Sequence, residues 1–169
     1  MIQLTSSQQA AIDAFKAFLK SDEQVFMLRG AAGTGKTTLV AEFLKILDTA
    51  KRASKLMAPT GRAAYIIGHK TGREATTIHR GIYGLSKLKS ISSDHEEEDY
   101  GGLHLCFGLS KNDDPLSEVY FVDESSMVSD SFSENEAFSF GSGCLLTDLF
   151  EYACGRKIVF IGDYAQLPP

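Results

Sequence analysis

A glycine-rich octapeptide near the start of the chain has the residue types and spacing of a phosphate-binding loop. It matches the pattern G-x-x-x-x-G-K-[ST] with Gly30-Ala31-Ala32-Gly33-Thr34-Gly35-Lys36-Thr37. Glycines let backbone N–H groups approach a phosphate closely, and a helix that follows directs its positive end at the same anion. The residues expected at the nucleotide phosphates are Gly33, Thr34, Gly35, Lys36, Thr37 and Thr38.

Two side chains of this loop can take part directly in phosphate chemistry. The Lys36 ammonium can reach the β- and γ-phosphates, where its charge would serve catalysis as well as binding. The Thr37 hydroxyl has the position of a Mg²⁺ ligand. The loop therefore predicts ATP as the bound nucleotide and Mg²⁺ as the cofactor.

Two acids and one amide follow apolar segments that read as strands. Asp123 and Glu124 come directly after Val119–Val122, and Gln166 follows Ile158–Ile161. Parallel strands place their carboxyl ends at one ligand-binding edge of a sheet. We expect Asp123 to help hold Mg²⁺ and Glu124 to act as general base on the attacking water. Gln166 is expected to orient that water or sense the γ-phosphate.

Charge is distributed unevenly along a chain whose net charge is −5. Residues 51–89 contain nine Lys/Arg and one acid, a net of +8, whereas residues 90–154 have a net of −14. An acidic loop at 94–99 is expected to be exposed. The basic segment has two interpretations, a positive surface for nucleic acid or an ordinary solvated face.

Length and composition predict one α/β domain. The chain has 169 residues, of which 43% are hydrophobic and 23% charged, values ordinary for a globular domain. Its apolar runs are far shorter than the ~20 residues of a membrane helix. Its start lacks the pattern of a signal peptide, and its three cysteines form no C-x-x-C pair. We therefore expect a cytoplasmic protein with free thiols and no membrane partner.

Hydrophobic periodicity predicts alternating helices and strands. One helix is expected to open at Thr5–Gln8, and others over Lys36–Leu47 and around Leu145–Phe150. The predicted strands are Val25–Leu28, Leu56–Ala58, Val119–Val122 and Ile158–Ile161. Continuous apolar strands that alternate with helices indicate a parallel sheet covered on both faces. An inserted hairpin is expected from Leu103–Leu109 and a turn at Asn112–Pro115.

Several stretches resemble, in order, the motifs of superfamily 1 DNA helicases of the RecD, Dda and Pif-like branch. Besides the phosphate loop, they are Leu4–Gln8, Ala58–Ala64, Thr77–Arg80, Val122–Met127, Phe140–Gly143 and Gly162–Pro169. The sequences Asp123-Glu124-Ser125-Ser126 and Gln166-Leu167-Pro168-Pro169 indicate the branch. The resemblance implies a RecA-like P-loop NTPase fold and ATP-driven 5′-to-3′ movement on single-stranded DNA.

The resemblance also assigns roles to individual residues. It implies that Gln8 recognises adenine, since an amide can pair with the N6 and N7 edge of that base. The residues expected along single-stranded DNA are Pro59, Thr60, Gly61, Arg62, Thr77, His79 and Arg80. They lie inside the +8 segment, and Lys70 and Arg73 are further candidates for phosphate contacts. For Lys87 and Lys89 we favour loop solvation.

The domain organisation follows from how much of the family the chain matches. Residues 1–169 are expected to form the N-terminal RecA-like ATP-binding domain, with a wedge-like insertion at about 81–118. The second RecA-like domain is expected to be absent, so that the chain would be a fragment or truncated product. Arginines of that second domain complete the ATP site in related motors. We therefore expect weak or no turnover by the isolated chain.

Two other function classes remain possible at this stage. One is a different P-loop enzyme, such as a small-molecule kinase, although no lid segment is evident and the glutamines Gln8 and Gln166 would then lack a role. The other is a non-catalytic module that binds nucleotide or DNA. The sequence does not determine the physiological DNA substrate, the oligomeric state or any protein partner.

Overall fold

The computed structural model describes residues 4–91, 102–133 and 137–163. Its first half contains α1 Ser6–Phe18, β1 Val25–Arg29, α2 Lys36–Thr49, β2 Ser54–Ala58, α3 Gly61–Thr71, β3 Ala75–Thr77 and α4 Ile78–Ile82. The second half contains β4 Tyr83–Ile91, β5 Gly102–Leu109, β6 Val119–Val122, β7 Phe138–Phe140, α5 Leu145–Ala153 and β8 Lys157–Gly162. No helix in the described ranges combines the length and apolar character needed to span a membrane.

A five-stranded parallel sheet forms the centre of the domain. The strand order is β1-β8-β6-β2-β3, and each neighbouring pair is parallel. The four strands predicted from sequence correspond to the edge strand β1 and the three inner strands β8, β6 and β2. The predicted and observed strands differ slightly at their ends. The predicted α/β class with a parallel sheet flanked by helices is confirmed.

Alternating residues of the inner strands build two separate cores. In β6, Val119 and Phe121 pack on the side of α1, α2 and α3, whereas Tyr120 and Val122 pack on the side of α4 and α5. Successive strand side chains point to opposite faces, so a strand between two helical layers must be apolar on both. All four of these residues are at most 1% exposed. The continuous apolar run of β6 is thus explained by its central place.

The first core is organised around an aromatic cluster. Phe15 of α1 stacks on Phe43 of α2 with ring centroids 4.1 Å apart, and Phe26 of β1 meets both rings edge-on. Phe15 and Phe43 are fully buried, as the helical spacing of apolar residues predicts. Such pairs stabilise by about 0.5–1.5 kcal/mol beyond their buried area. This cluster fixes α1 against the helix that follows the phosphate loop.

A second, smaller sheet consists of β4 and β5, which lie between α4 and β6 in sequence, and of β7, which follows β6. Strands β4 and β5 form an antiparallel hairpin, and β7 adds to β5 in parallel. The expected turn at Asn112–Pro115 does not join these strands, since it lies between β5 and β6. Asn112 donates to the Tyr120 hydroxyl and the Tyr152 carbonyl. That segment returns the chain to the central sheet. The acidic loop at 94–99 lies outside the described residues.

A buried carboxylate holds the turn between β7 and α5. Asp148 is 1% exposed and accepts hydrogen bonds from the Tyr83 hydroxyl at 2.5 Å and the Ser142 N–H at 3.0 Å. Gly141 in this turn has a φ of +44°, and a Cβ there would overlap the Asp148 carboxylate. Burial, followed by the Asp148 interaction, raises the pKa of Tyr83. The turn therefore needs glycine for both backbone angle and space.

Replacement of Gly141 tests this turn. Gly141→Ala should destabilise the domain by about 2–4 kcal/mol, because it combines a left-handed backbone with a steric overlap. Gly72→Ala is the matched control, since Gly72 also has a positive φ of +68° but open space around its Cβ position. It should cost only about 1–2 kcal/mol. Urea unfolding measures both changes, and equal losses would show that Asp148 does not constrain the turn.

Candidate nucleotide-binding site

Two glycines give the phosphate loop its shape. Gly33 has a φ of +79° and Gly35, the N-cap residue of α2, has a φ of +85°. The Thr34 hydroxyl and N–H both donate to the Ala31 carbonyl, at 2.8 and 3.3 Å. A Cβ on Gly35 would lie 2.6 Å from Nε2 of Gln8. Glycine at this position thus satisfies both the backbone conformation and the close approach of α1.

Lys36 lies across the same loop. Its Nζ donates to the Gly30 carbonyl at 2.6 Å and the Ala31 carbonyl at 3.0 Å. The ammonium is thereby held over the concave side of the loop rather than extended into solvent. The Gly30 N–H in turn donates to the Gly162 carbonyl at 3.3 Å, which ties the loop to the end of β8.

One cavity of about 610 Å³ brings together most of the predicted nucleotide residues. Lys36 and Thr37 line it from the loop, and Asp123 and Glu124 line it from the end of β6. Gly33, Gly35 and Thr38 also contribute to its wall. Thr34 is in the loop but outside that wall, and Gln166 lies outside the described residues.

Asp123 is placed by the central sheet. Its N–H donates to the Met57 carbonyl at 2.9 Å, which continues the β2–β6 ladder by one residue. Burial raises the pKa of the Asp123 carboxyl, and the nearby charges of Lys36 and Lys70 oppose that rise. A carboxylate in such surroundings gains from a bound cation, which replaces the solvation that burial removes.

Glu124 occupies a sharp turn beside it. Its φ of +51° and ψ of +39° lie in the left-handed region, which is uncommon for a residue with a Cβ. The turn continues into a short 3₁₀ helix, Ser125–Met127. A Cβ on Gly162 would lie 2.8 Å from the Ser125 hydroxyl oxygen, so this turn packs directly on the end of β8. The strained backbone directs Glu124 into the cavity.

Gln8 links α1 to the phosphate loop. Its side-chain Oε1 accepts from the Thr5 N–H at 3.0 Å, and its N–H donates to the Thr5 hydroxyl oxygen at 3.2 Å, a capping box. Its Nε2 donates to the Thr34 carbonyl at 3.5 Å. The side chain proposed to read adenine is therefore fixed next to the loop that would bind the phosphates.

The residues expected along single-stranded DNA begin two helices at the carboxyl edge of the sheet. Thr60 caps α3 and Thr77 caps α4, each through a hydroxyl that accepts a backbone N–H. Arg62 and Arg80 follow these caps and are exposed. Pro59 and Gly61 flank Thr60 at the same end of β2, and His79 is half-buried against Phe140. The structure thus brings both segments to one edge.

Lys70 and Arg73, the two further residues expected to contact DNA phosphates, have different surroundings. Lys70 lines the nucleotide cavity from α3, where side chains lean back towards the helix start. Arg73 forms an ion pair with Asp48 near the end of α2, at the other end of α3 from Arg62. Neither belongs to the exposed basic surface formed by Arg62 and Arg80.

Sequence reasoning missed part of the cavity wall. The missed residues include Ala41, Glu42, Lys45, Ile66 and Ile67, whereas Lys70 was expected at DNA phosphates instead. On α2, the lining residues Thr38, Ala41, Glu42 and Lys45 follow helical spacing, but a mostly polar stripe of this kind is usually a solvated face. Only the packing of α3 beside α2 turns that stripe into a wall.

The arrangement fits a nucleoside triphosphate with a magnesium ion. A glycine loop, a lysine and the beginning of a fourteen-residue helix suit phosphates. A hydroxyl and a carboxylate, Thr37 and Asp123, are the hard oxygen donors that Mg²⁺ prefers, and they line one cavity.

Comparison with known proteins agrees with this geometry. The family described as the AAA domain matches residues 3–169. The ATP-dependent DNA helicase Pif1 of Bdellovibrio bacteriovorus is 27% identical over 99% of this chain and 33% of its own length. The ATP-dependent RecD2 DNA helicase of Deinococcus radiodurans is 26% identical over 98% of this chain and 18% of its length.

A solved structure shows the same fold. Pif1 from Bacteroides sp., crystallised with ADP-AlF4, superposes with a TM-score of 0.53 over the whole chain and 34% of its own, at 24% identity. The chain spans between 11% and 33% of the length of the first three curated relatives it matches. The chain belongs to the AAA-domain family and is a first RecA-like domain of the RecD and Pif-like branch of superfamily 1 helicases.

Proposed function

We propose that this chain is the ATP-binding half of a DNA helicase that moves 5′ to 3′ along single-stranded DNA. The observation that carries the proposal is the single cavity in which Lys36, Thr37, Asp123 and Glu124 meet at the carboxyl edge of the sheet. The relatives named as ATP-dependent DNA helicases support the same reading.

The side chains of the cavity would each have a different role at the phosphates. Lys36 would exchange its bonds to the Gly30 and Ala31 carbonyls for bonds to phosphate oxygens, so its charge stays over the loop. Thr37 and Asp123 would hold Mg²⁺, which neutralises phosphate charge. Glu124 would accept a proton from the attacking water. Gln166 is proposed to orient that water.

The exposed basic surface would contact the DNA backbone. Arg62 and Arg80 are proposed to bind phosphates, while Thr60, Thr77 and His79 would add hydrogen bonds. Pro59 and Gly61 would shape the path between them. Pro59 and Thr60 follow β2, and Asp123 follows its neighbour β6, so the two sites are adjacent at the same edge of the sheet. Nucleotide-dependent movement of one strand end would therefore reach the other site directly.

Removal of the loop lysine tests the nucleotide site. Lys36→Ala should weaken ADP binding by at least about tenfold, because a charged hydrogen-bond donor to the phosphates is lost. Lys20→Ala is the control, since Lys20 is exposed at the end of α1 and outside the cavity. Isothermal titration calorimetry measures both, with circular dichroism to verify the fold. Unchanged affinity in Lys36→Ala would remove the basis of the proposed function.

Adenine recognition has its own test. Gln8→Ala and Thr5→Ala each break the capping box and should cost similar stability, about 1 kcal/mol. Only Gln8→Ala should reduce the preference for ATP over GTP, by about five- to a hundredfold, since Gln8 alone carries the proposed adenine-pairing amide. Competition between the two nucleotides measures the ratio. A wild-type chain that binds both equally would contradict this role.

Single-strand binding should be weak and electrostatic. We expect a Kd of ~10⁻⁴ to 10⁻⁶ M at physiological salt, with affinity that falls as salt rises. Arg62→Ala or Arg80→Ala should lower both the affinity and the salt slope, whereas Arg73→Ala should not, because Arg73 is paired with Asp48. Fluorescence anisotropy across a salt series measures these effects. Salt-independent binding, or an equal loss in all three variants, would refute the basic-surface assignment.

A further inference from the structure

A second cavity lies beside the proposed DNA surface, on the other face of the central sheet from the nucleotide site. Its volume is about 190 Å³, below the ~300–1,000 Å³ of sites for drug-sized ligands, so it would hold a single small ring rather than a nucleotide. It lies between the start of α4, the start of α5 and the segment that follows the 3₁₀ helix. All three lie at the carboxyl edge.

Three aromatic rings form one wall of this cavity. His79 meets Phe140 edge-on with centroids 4.8 Å apart, and Tyr83 lies 5.6 Å from His79 and 5.2 Å from Phe140. Burial lowers the pKa of His79, so this ring is neutral at neutral pH and serves as an aromatic surface. Such a wall suits the flat face of an unsaturated ring.

Serine hydroxyls also line this cavity. Ser129, Ser131 and Ser133 all contribute to the lining, and the Ser129 oxygen already accepts the Ser131 N–H at 3.0 Å. Each serine hydroxyl can donate and accept, which matches the mixed polar edge of a nucleobase. Met127, 45% exposed, lies beside the same opening. Aromatic faces with a polar rim are the features by which proteins hold unpaired bases.

The cavity is also preformed. The Gly143 N–H donates to the Phe140 carbonyl at 2.8 Å, and the Ser133 N–H donates to the Gly143 carbonyl at 2.9 Å. The turn that contains Gly143 is in addition held by the buried Asp148. A site that needs no ordering on binding loses less affinity to entropy.

The position of this cavity and the charge of the segment around it indicate which ligand it would bind. His79 is both a wall of the cavity and a neighbour of the exposed Arg80, within the segment of net charge +8. We propose that this cavity receives one unpaired base of a bound DNA strand while Arg80 contacts the adjoining phosphate. The proposal rests on the proposed function and adds to it a contact with a base. Occupancy by one base per bound strand would set the register of the strand on this domain.

The test compares two probes and two variants. The probes are oligothymidylate and an abasic deoxyribose-phosphate oligomer of equal length, which differ only in their bases. Ser133→Leu fills the cavity mouth, and Ser117→Leu makes the same change at an exposed serine at the opposite edge of the sheet. Wild type and Ser117→Leu should prefer the thymidylate by about five- to a hundredfold. Ser133→Leu should lose most of that preference but keep its salt-sensitive binding of the abasic oligomer.

A second measurement needs no variant. Irradiation of the wild-type chain with single-stranded DNA that carries 5-iodouracil should give adducts at His79, Tyr83 or Phe140 in peptide mass spectra. Equal affinity of wild type for both probes, or adducts confined to other residues, would overturn the base pocket alone. Failure to bind either probe would overturn the DNA surface as well, while ADP binding would still report separately on the nucleotide site.

Discussion

The parallel pairing of β8 with both β1 and β6 is the constraint on which the other functional features depend. It sets the phosphate loop after β1 next to the end of β8, where the Gly30 N–H donates to the Gly162 carbonyl. It also sets Asp123 and Glu124 beyond the end of β6, on the other flank of β8. Groups nearly a hundred residues apart in sequence therefore line one cavity.

Two helical layers stabilise this strand pairing, and each layer forms a different cavity at the carboxyl edge of the sheet. The first layer packs α1, α2 and α3 over one face, and the nucleotide cavity runs along α2 and α3. The second layer packs α4 and α5 over the other face, and the smaller cavity lies at their ends. The nucleotide cavity includes the end of β8, whereas the smaller cavity is lined by the starts of α4 and α5 and by residues of β4 and β7.

Strained backbone and close packing are concentrated where the helical layers meet the carboxyl edge of the central sheet. Glu124 holds a left-handed conformation, and Gly35, Gly141 and Gly162 are positions at which a side chain would meet a neighbour below 3 Å. Unfavourable backbone conformations cost of order 1–3 kcal/mol each and persist only where the surroundings determine them. Here the surroundings are the capped start of α1, the buried Asp148 and the Ser125 turn, which together hold the edge in a preformed shape.

Local sequence determined the elements with strong periodic or motif signals. The phosphate loop, the strands β1, β2, β6 and β8, and the buried stripe of α2 are readable because glycine spacing and apolar period are local properties. The short elements β3, α4 and β7 were not predicted, since three to five residues carry too little periodicity. Tertiary packing alone decided that Lys70 lines the nucleotide cavity, that Arg73 pairs with Asp48, and that His79 meets Phe140. These contacts join residues distant in sequence, and no local pattern specifies which distant partner a side chain will meet.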